Sequence, residues 1–210
     1  GFYFTGTTTP VGSLLPAITG ARLIVDRALR DSEKVIVDTT GLISEPAGRV
    51  LKQFKIEILK PDLVICLERA DELRPITEPF KYQGIETISI RPSLNVRIKS
   101  PAERAEYRYK KMEDYLHEAD TREFYLDELG ILFMGNKLPL DNPSLKNRIV
   151  SLRNKNNDDI CLGIVEHIRQ REGKIHILSP ELKDEPVTIV IGKAVMDRKE
   201  RTLKNISPLI

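Results

Sequence analysis

The chain has 210 residues, and 33 Lys and Arg against 31 Asp and Glu leave a formal net charge of +2. That length holds one substantial domain, or one domain and a smaller partner, and a balance so near neutrality excludes a global pull on nucleic acid, leaving only local basic patches. With no Trp and 6% aromatics a wide base-stacking platform is excluded too, and no apolar run approaches the ~18 residues of a membrane span.

Phe2-Tyr3-Phe4-Thr5 is a short β-prone run that stops at Gly6, and Thr7-Thr8-Thr9-Pro10 forms a turn. Leu14, Ile18, Ala21, Val25 and Leu29 then recur at helical spacing, with Pro16 in the first turn, where its missing N–H costs little. Lys34 to Asp38 is an apolar run ending in a carboxylate, followed by Thr39-Thr40-Gly41. A helix is expected from near Pro46 to Ile58. Leu63 to Leu67 is apolar on both faces, the mark of a strand inside a parallel sheet. A short helix interrupted near Pro75 (Ala70 to Phe80) and a strand from Glu86 to Ile90 follow. Ser100-Pro101-Ala102-Glu103 is a strong helix start, with Ser as cap, Pro first and Glu third; that helix should reach Leu116. Strand and helix alternate four times, which specifies an α/β domain with a mostly parallel sheet and helices on its faces.

After about residue 120 the texture changes to short strands: Arg148 to Leu152, Ile160 to His167, Lys174 to Leu178 and Val187 to Ile191, with a polar turn at 154–159 and another at Glu172-Gly173. The expected organisation is an α/β domain over 1–119 and a small, barrel-like β domain over 120–210.

Three constellations carry chemistry. The run from Val35 to Asp38 has the form of a Walker B segment, whose carboxylate holds Mg²⁺ or its water; the same residues serve equally as the cap of a turn. Arg104 and Arg108 stand four apart on one helix face. Their forks match phosphate oxygens bidentately, although Glu103, Glu106, Lys110 and Lys111 nearby make a solvated mixed-charge face the simpler account of spacing alone. Backbone amides of Gly6, Thr7, Thr8 and Thr9 ahead of a helix can bind an anion, or the hydroxyls can cap that helix. A Walker A loop, Gly-x-x-x-x-Gly-Lys-Ser/Thr, occurs nowhere in the sequence. His117, His167 and His176 have no metal-ligand spacing and are assigned no role, and Cys66 and Cys161, each inside an apolar run, read as buried inert thiols.

In order and spacing these pieces resemble the polynucleotide 5′-hydroxyl kinase family, which includes the pre-mRNA cleavage-complex kinase subunit, the nucleolar pre-rRNA-processing kinase and archaeal polynucleotide kinases. The resemblance begins at Tyr3-Phe4-Thr5-Gly6-Thr7-Thr8-Thr9-Pro10-Val11-Gly12 and continues in Asp38-Thr39-Thr40-Gly41-Leu42, similar to the clasp motif Thr-x-Gly-Trp with Leu42 where the aromatic stands. It then takes in Leu59 to Glu68, the Arg104-x-x-x-Arg108 lid and Leu162-Gly163-Ile164-Val165 of the terminal β domain. It implies an incomplete P-loop NTPase-like fold followed by a β-rich domain, and transfer of the ATP γ-phosphate to the 5′-hydroxyl of RNA or DNA. Thr39, Thr40 and Gly41 would clasp the acceptor, Arg104 and Arg108 would close over the triphosphate, and Asp38 would belong to the clasp rather than to Walker B. ATP and Mg²⁺ would be held mainly by residues upstream of Gly1. Gly1 is no natural start, so the sequence is expected to be cut there and inactive alone. Leu42 removes a stacking surface and should weaken acceptor binding. The alternatives are a scaffold subunit of an RNA-processing complex with the same fold, and an unrelated P-loop-like NTPase. With no signal peptide visible, a cytoplasmic protein without membrane partners is expected.

Overall fold

The computed structural model describes residues 1–43, 46–97 and 99–206. It divides into two compact units, one made of Gly1–Ser13 and Lys99–Ile210, the other of Leu14–Ile98.

The unit of Leu14–Ile98 contains helices α1 (Leu14–Asp31) and α2 (Ala47–Leu59), strand β1 (Leu63–Leu67), a short helix α3 (Arg74–Thr77) running into a 3-10 turn at Glu78–Phe80, and strand β2 (Glu86–Ile90). Helix α2 ends where Lys60 enters the left-handed region (φ 49°) ahead of Pro61, which cannot continue a helix. Helices α1 and α2 pack together, and Arg22 both donates to the Ile58 carbonyl at 2.9 Å and pairs with Asp26 one turn on at 2.8 Å. Strands β1 and β2 pair in parallel, Leu63 opposite Glu86 through Leu67 opposite Ile90. Ile56, Ile76 and Phe80 form the small core, with Val64, Leu73 and Ile85 against it. The alternation of β1 sends Cys66 inward while Leu63, Ile65 and Leu67 stay exposed. The run expected to lie inside a sheet is thus covered on one face only among the described residues.

Two expected strands are absent. Lys34 to Asp38 has no ladder and Ile36 is 96% exposed; β1 finds its partner in β2, and an apolar run without a partner strand has no ladder to join. Phe2 to Thr5 is likewise irregular, although Phe4 is buried. Its backbone is held by single bonds: the Phe4 N–H donates to Asp159 Oδ2 at 2.8 Å, and the Gly6 carbonyl accepts from Lys193 N and Ala194 N at 2.6 and 3.1 Å.

The other unit begins, after residues 1–13, with helix α4 (Pro101–Tyr115), followed by β3 (Asp120–Tyr125), β4 (Gly130–Phe133), β5 (Arg148–Arg153), β6 (Asp159–Arg169), β7 (Lys174–Ser179), β8 (Thr188–Asp197) and β9 (Thr202–Asn205). Seven strands make one sheet in the order β3-β7-β6-β5-β8-β4, with β9 on β8; β4 and β8 run parallel and the other pairs antiparallel. The four expected strands are present, and β3, β4 and β9 join them. All six residues of β5 are buried because the sheet is covered on both faces. Ile149, Ile164, Val190 and Ala194 meet Phe4, Tyr109, Met112 and Leu116 on one face; Val150, Leu152, Val165, Ile175, Ile177, Ile189 and Ile191 pack on the other. Close approach of the first residues to β8 demands glycine at 192, where a Cβ would lie 2.7 Å from Phe4 Cζ and 2.9 Å from both the Gly6 and Ile149 carbonyl oxygens. By packing, α4 and residues 1–13 therefore belong with the β-rich part, whereas sequence texture divides the chain at 119/120.

Candidate functional site

The arginines expected to form a lid, Arg104 and Arg108, sit on α4, whose start the sequence specifies locally. Ser100 accepts from the Glu103 N–H at 3.1 Å, and Glu103 accepts from the Ser100 N–H at 2.7 Å, a reciprocal capping box with Pro101 first. Tyr109 and Met112 anchor the helix to the sheet. Arg104 is exposed and donates to the Lys99 carbonyl at 2.6 Å. Arg108 is half-buried, and its Nε is shielded from water with no hydrogen-bond partner among the described residues. Arg22 and Arg74 each pair with a carboxylate four residues on, whereas neither Arg104 nor Arg108 has an ion pair among the described residues. Two unneutralised guanidiniums one turn apart favour an anion between them. Lys99 lies 4.9 Å and Lys111 5.7 Å from the Tyr107 ring centroid, extending the basic surface.

The turn Gly6-Thr7-Thr8-Thr9 belongs to the same unit. Gly6 has φ +78°, and a Cβ there would come within 2.6 Å of Met134 Cβ, so glycine is required twice over. The Thr8 N–H and hydroxyl both donate to Asn205 Oδ1, at 3.0 and 3.3 Å, and the Thr7 hydroxyl donates to the Thr9 carbonyl at 2.7 Å. The Lys193 ammonium donates to the Gly12 carbonyl at 2.9 Å. These groups are spent on holding the turn to β8 and β9.

Thr39, Thr40 and Gly41, expected to form the clasp, lie in the exposed connection between α1 and α2. A Cβ at Gly41 would meet nothing within 4 Å and its φ is unexceptional, so its own fold does not require glycine there. One residue that sequence reasoning missed grips this turn: the Lys52 ammonium, from α2, donates to Thr39 Oγ1 at 2.5 Å and to the Thr40 carbonyl. Burial and the neighbouring Lys55 lower its pKa to about 8 against the opposing pull of Asp38, and burial lowers that of Lys55. Lys52 and Lys55 stand three apart in the helix that follows the clasp, the one signal the sequence offered for them.

Among the described residues no group of three or more His, Cys, Asp or Glu could hold a metal, and no helix is long and apolar enough to cross a membrane. His167 and His176 touch edge to face, 4.0 Å between centroids. Cys66 and Cys161 are free and buried, and burial raises both thiols, Cys161 to about 11, so both resist forming thiolate.

The family model described as the mRNA cleavage and polyadenylation factor CLP1 P-loop matches residues 1–118. A polyribonucleotide 5′-hydroxyl-kinase of Methanocaldococcus jannaschii is 35% identical over 147 residues, 68% of this chain and 40% of that one. Its namesake in Pyrococcus furiosus is 33% identical over 151 residues, 70% of this chain and 42% of that one. The chain thus spans less than half the length of these relatives. In fold it is similar to Clp1p in the solved wild-type Clp1p–Pcf11p complex, with a TM-score of 0.60, 12% identity and coverage of 88% of this chain and 52% of that one. The likeness agrees with a P-loop NTPase-like arrangement joined to a β-rich part, and the match over more than half its residues shows that this chain belongs to the CLP1 P-loop family.

Proposed function

We propose that the chain is part of an ATP-dependent polynucleotide 5′-hydroxyl kinase, transferring the γ-phosphate of ATP to the 5′-hydroxyl of RNA or DNA. The observation that carries this reading is the pair Arg104 and Arg108, one turn apart on a firmly capped helix and without a carboxylate partner among the described residues. Phosphoryl transfer rests on positioning and on neutralising charge spread over the phosphate oxygens. The Nε of Arg108 has no hydrogen bond to give up among the described residues in turning toward such an oxygen. Thr39, Thr40 and Gly41 would hold the acceptor, and the open space at Gly41 leaves room for a ribose or base. The turn Gly6 to Thr9 takes a supporting role, since the Thr8 amide and the Thr7 and Thr8 hydroxyls are already engaged.

The residues described do not fit Mg²⁺, so no step is assigned to it here; Mg²⁺ and the phosphates of ATP would be held mainly by a Walker A loop and a Walker B segment that this sequence does not contain. On that ground the chain alone would be inactive and a protein that supplied both segments with it active; its place would be the cytoplasm, as no signal peptide is visible in the sequence. The family match over 1–118 supports a kinase part ending near residue 119, with 120–210 as an accessory β domain. A scaffold role beside other RNA-processing subunits is the second reading, favoured by the complex in which the similar Clp1p was solved.

The test is transfer of labelled γ-phosphate to a 5′-hydroxyl oligonucleotide by the full-length protein and by this chain. Labelling by the former only supports the reading. Arg104→Ala and Arg108→Ala should each lower turnover by about 10²-fold, and normal turnover in both would remove the lid assignment.

A further inference from the structure

Lys52 does more than pack. Its ammonium reaches across to the turn that follows the apolar run 34–38 and binds two of the three proposed clasp residues, through the Thr39 hydroxyl oxygen and the Thr40 carbonyl. An ammonium is a donor only. Donation into Thr39 Oγ1 occupies a lone pair there and forces the hydroxyl's own proton to point elsewhere. The Thr39 hydroxyl is thereby left with its proton turned outward to donate, and Thr39 is exposed. The Thr40 carbonyl is taken as well, so the turn cannot relax by rotating that peptide without losing a charge-assisted bond.

From this arrangement we infer that Lys52 is the positioning residue of the acceptor clasp: it locks the 39–41 turn and presents the Thr39 hydroxyl as a donor to an oxygen of the acceptor nucleotide, a ribose or phosphate oxygen. The inference rests on the kinase reading above and assigns Lys52 no contact with the reacting atoms.

The tether is sensitive to pH in the working range. The charged groups acting on the Lys52 ammonium are Lys55 on its own helix and Asp38 at the entry to the turn, and with burial they leave its pKa at about 8 rather than 10.5. The protonated form makes the strong tether, so acceptor grip is full below that value and weakens as pH rises through it. Fold stability moves the other way. The unfolded chain holds this proton more tightly, so Lys52 favours the folded state increasingly between pH 8 and 10.5. A purely structural role would tie the two trends together; a positioning role separates them.

The experiment uses the full-length protein and a short single-stranded RNA with a 5′-hydroxyl end. The KM for RNA, the KM for ATP and kcat are measured from pH 6.5 to 9.5 for wild type, Lys52→Met and Lys52→Arg. Lys52→Met should raise the RNA KM about tenfold at neutral pH, the loss expected for one charge-assisted bond, with the ATP KM unchanged. Lys52→Arg should restore the wild-type KM at neutral pH and abolish its rise through pH 8. Thr39→Val, at an exposed position, serves where Lys52→Met folds poorly; it should raise the RNA KM as much, and the two changes together should cost no more than either alone. A wild-type RNA KM that is flat from pH 7 to 9, or additive effects in the double variant, overturns this role while leaving the kinase reading intact. Failure of the wild type to label RNA at any pH overturns the kinase reading, and this role with it.

Discussion

Asp159→Ala is the perturbation that tests the architecture most directly. Asp159 is 1% exposed in its side chain and accepts from three residues: Phe4 N at 2.8 Å, Ser151 Oγ at 2.6 Å, and Arg153 through Nε at 2.7 Å and Nη2 at 3.5 Å. Arg153 is itself 5% exposed and lies 5.0 Å from the Tyr3 ring centroid. Removing the carboxylate strands a buried guanidinium, at about 3–5 kcal/mol, and leaves the Phe4 N–H without its acceptor. For a unit of this size each kcal/mol moves the midpoint by roughly 3–4 °C, so the melting temperature should fall by about 10–20 °C. Circular dichroism and calorimetry on the chain read the change, and the β-sheet signal identifies the unit that melts. Replacing both partners, as in Asp159→Leu with Arg153→Met, should recover most of the loss, because the pair then leaves no buried charge. A drop below about 3 °C for Asp159→Ala would refute the reasoning, for it would mean that Arg153 finds water or another acceptor at no cost.

Gly192→Ala should destabilise the same unit by about 1–3 kcal/mol, since the new methyl meets two carbonyl oxygens and the Phe4 ring; a urea midpoint equal to wild type would show that residues 1–13 give way freely. Burial, and then His167 alongside, holds the His176 imidazole below its usual 6.5, with Arg169 adding to the effect and Glu123 and Glu166 opposing it. The unfolded chain therefore takes up this proton first, so stability should fall as pH drops below about 6.5. His176→Gln should flatten the melting-temperature profile between pH 7 and 5, and an unchanged slope would assign the loss to other groups.

Helix α4 was legible because its start is encoded in four consecutive residues whose side chains satisfy their own backbone. Strands β5 to β8 were legible because they are apolar runs flanked by turn residues. Strand β3 escaped notice because three of its six residues are charged; its signal is the alternation that turns Arg122 and Phe124 inward while Thr121, Glu123 and Tyr125 face out. Residues 2–5 and 34–38 carry the composition of strands and are not strands, because a strand is a relation between two segments and only one was in view. Proposed clasp and lid residues could be named from order and spacing, whereas Lys52 could not. Its hold on Thr39 and Thr40 exists only once α2 has folded back toward the turn, and in a chain rich in lysine the spacing of Lys52 and Lys55 does not single that contact out.

Residues 1–13 are stitched to partners that lie near the other end of the sequence: Asp159, Gly192, Lys193 and Asn205. During synthesis the β-rich unit therefore cannot close until β8 and β9 have emerged, well after all of Leu14–Ile98 has been made. Phe4, exposed until β8 arrives, is the apolar group that waits longest for its burial.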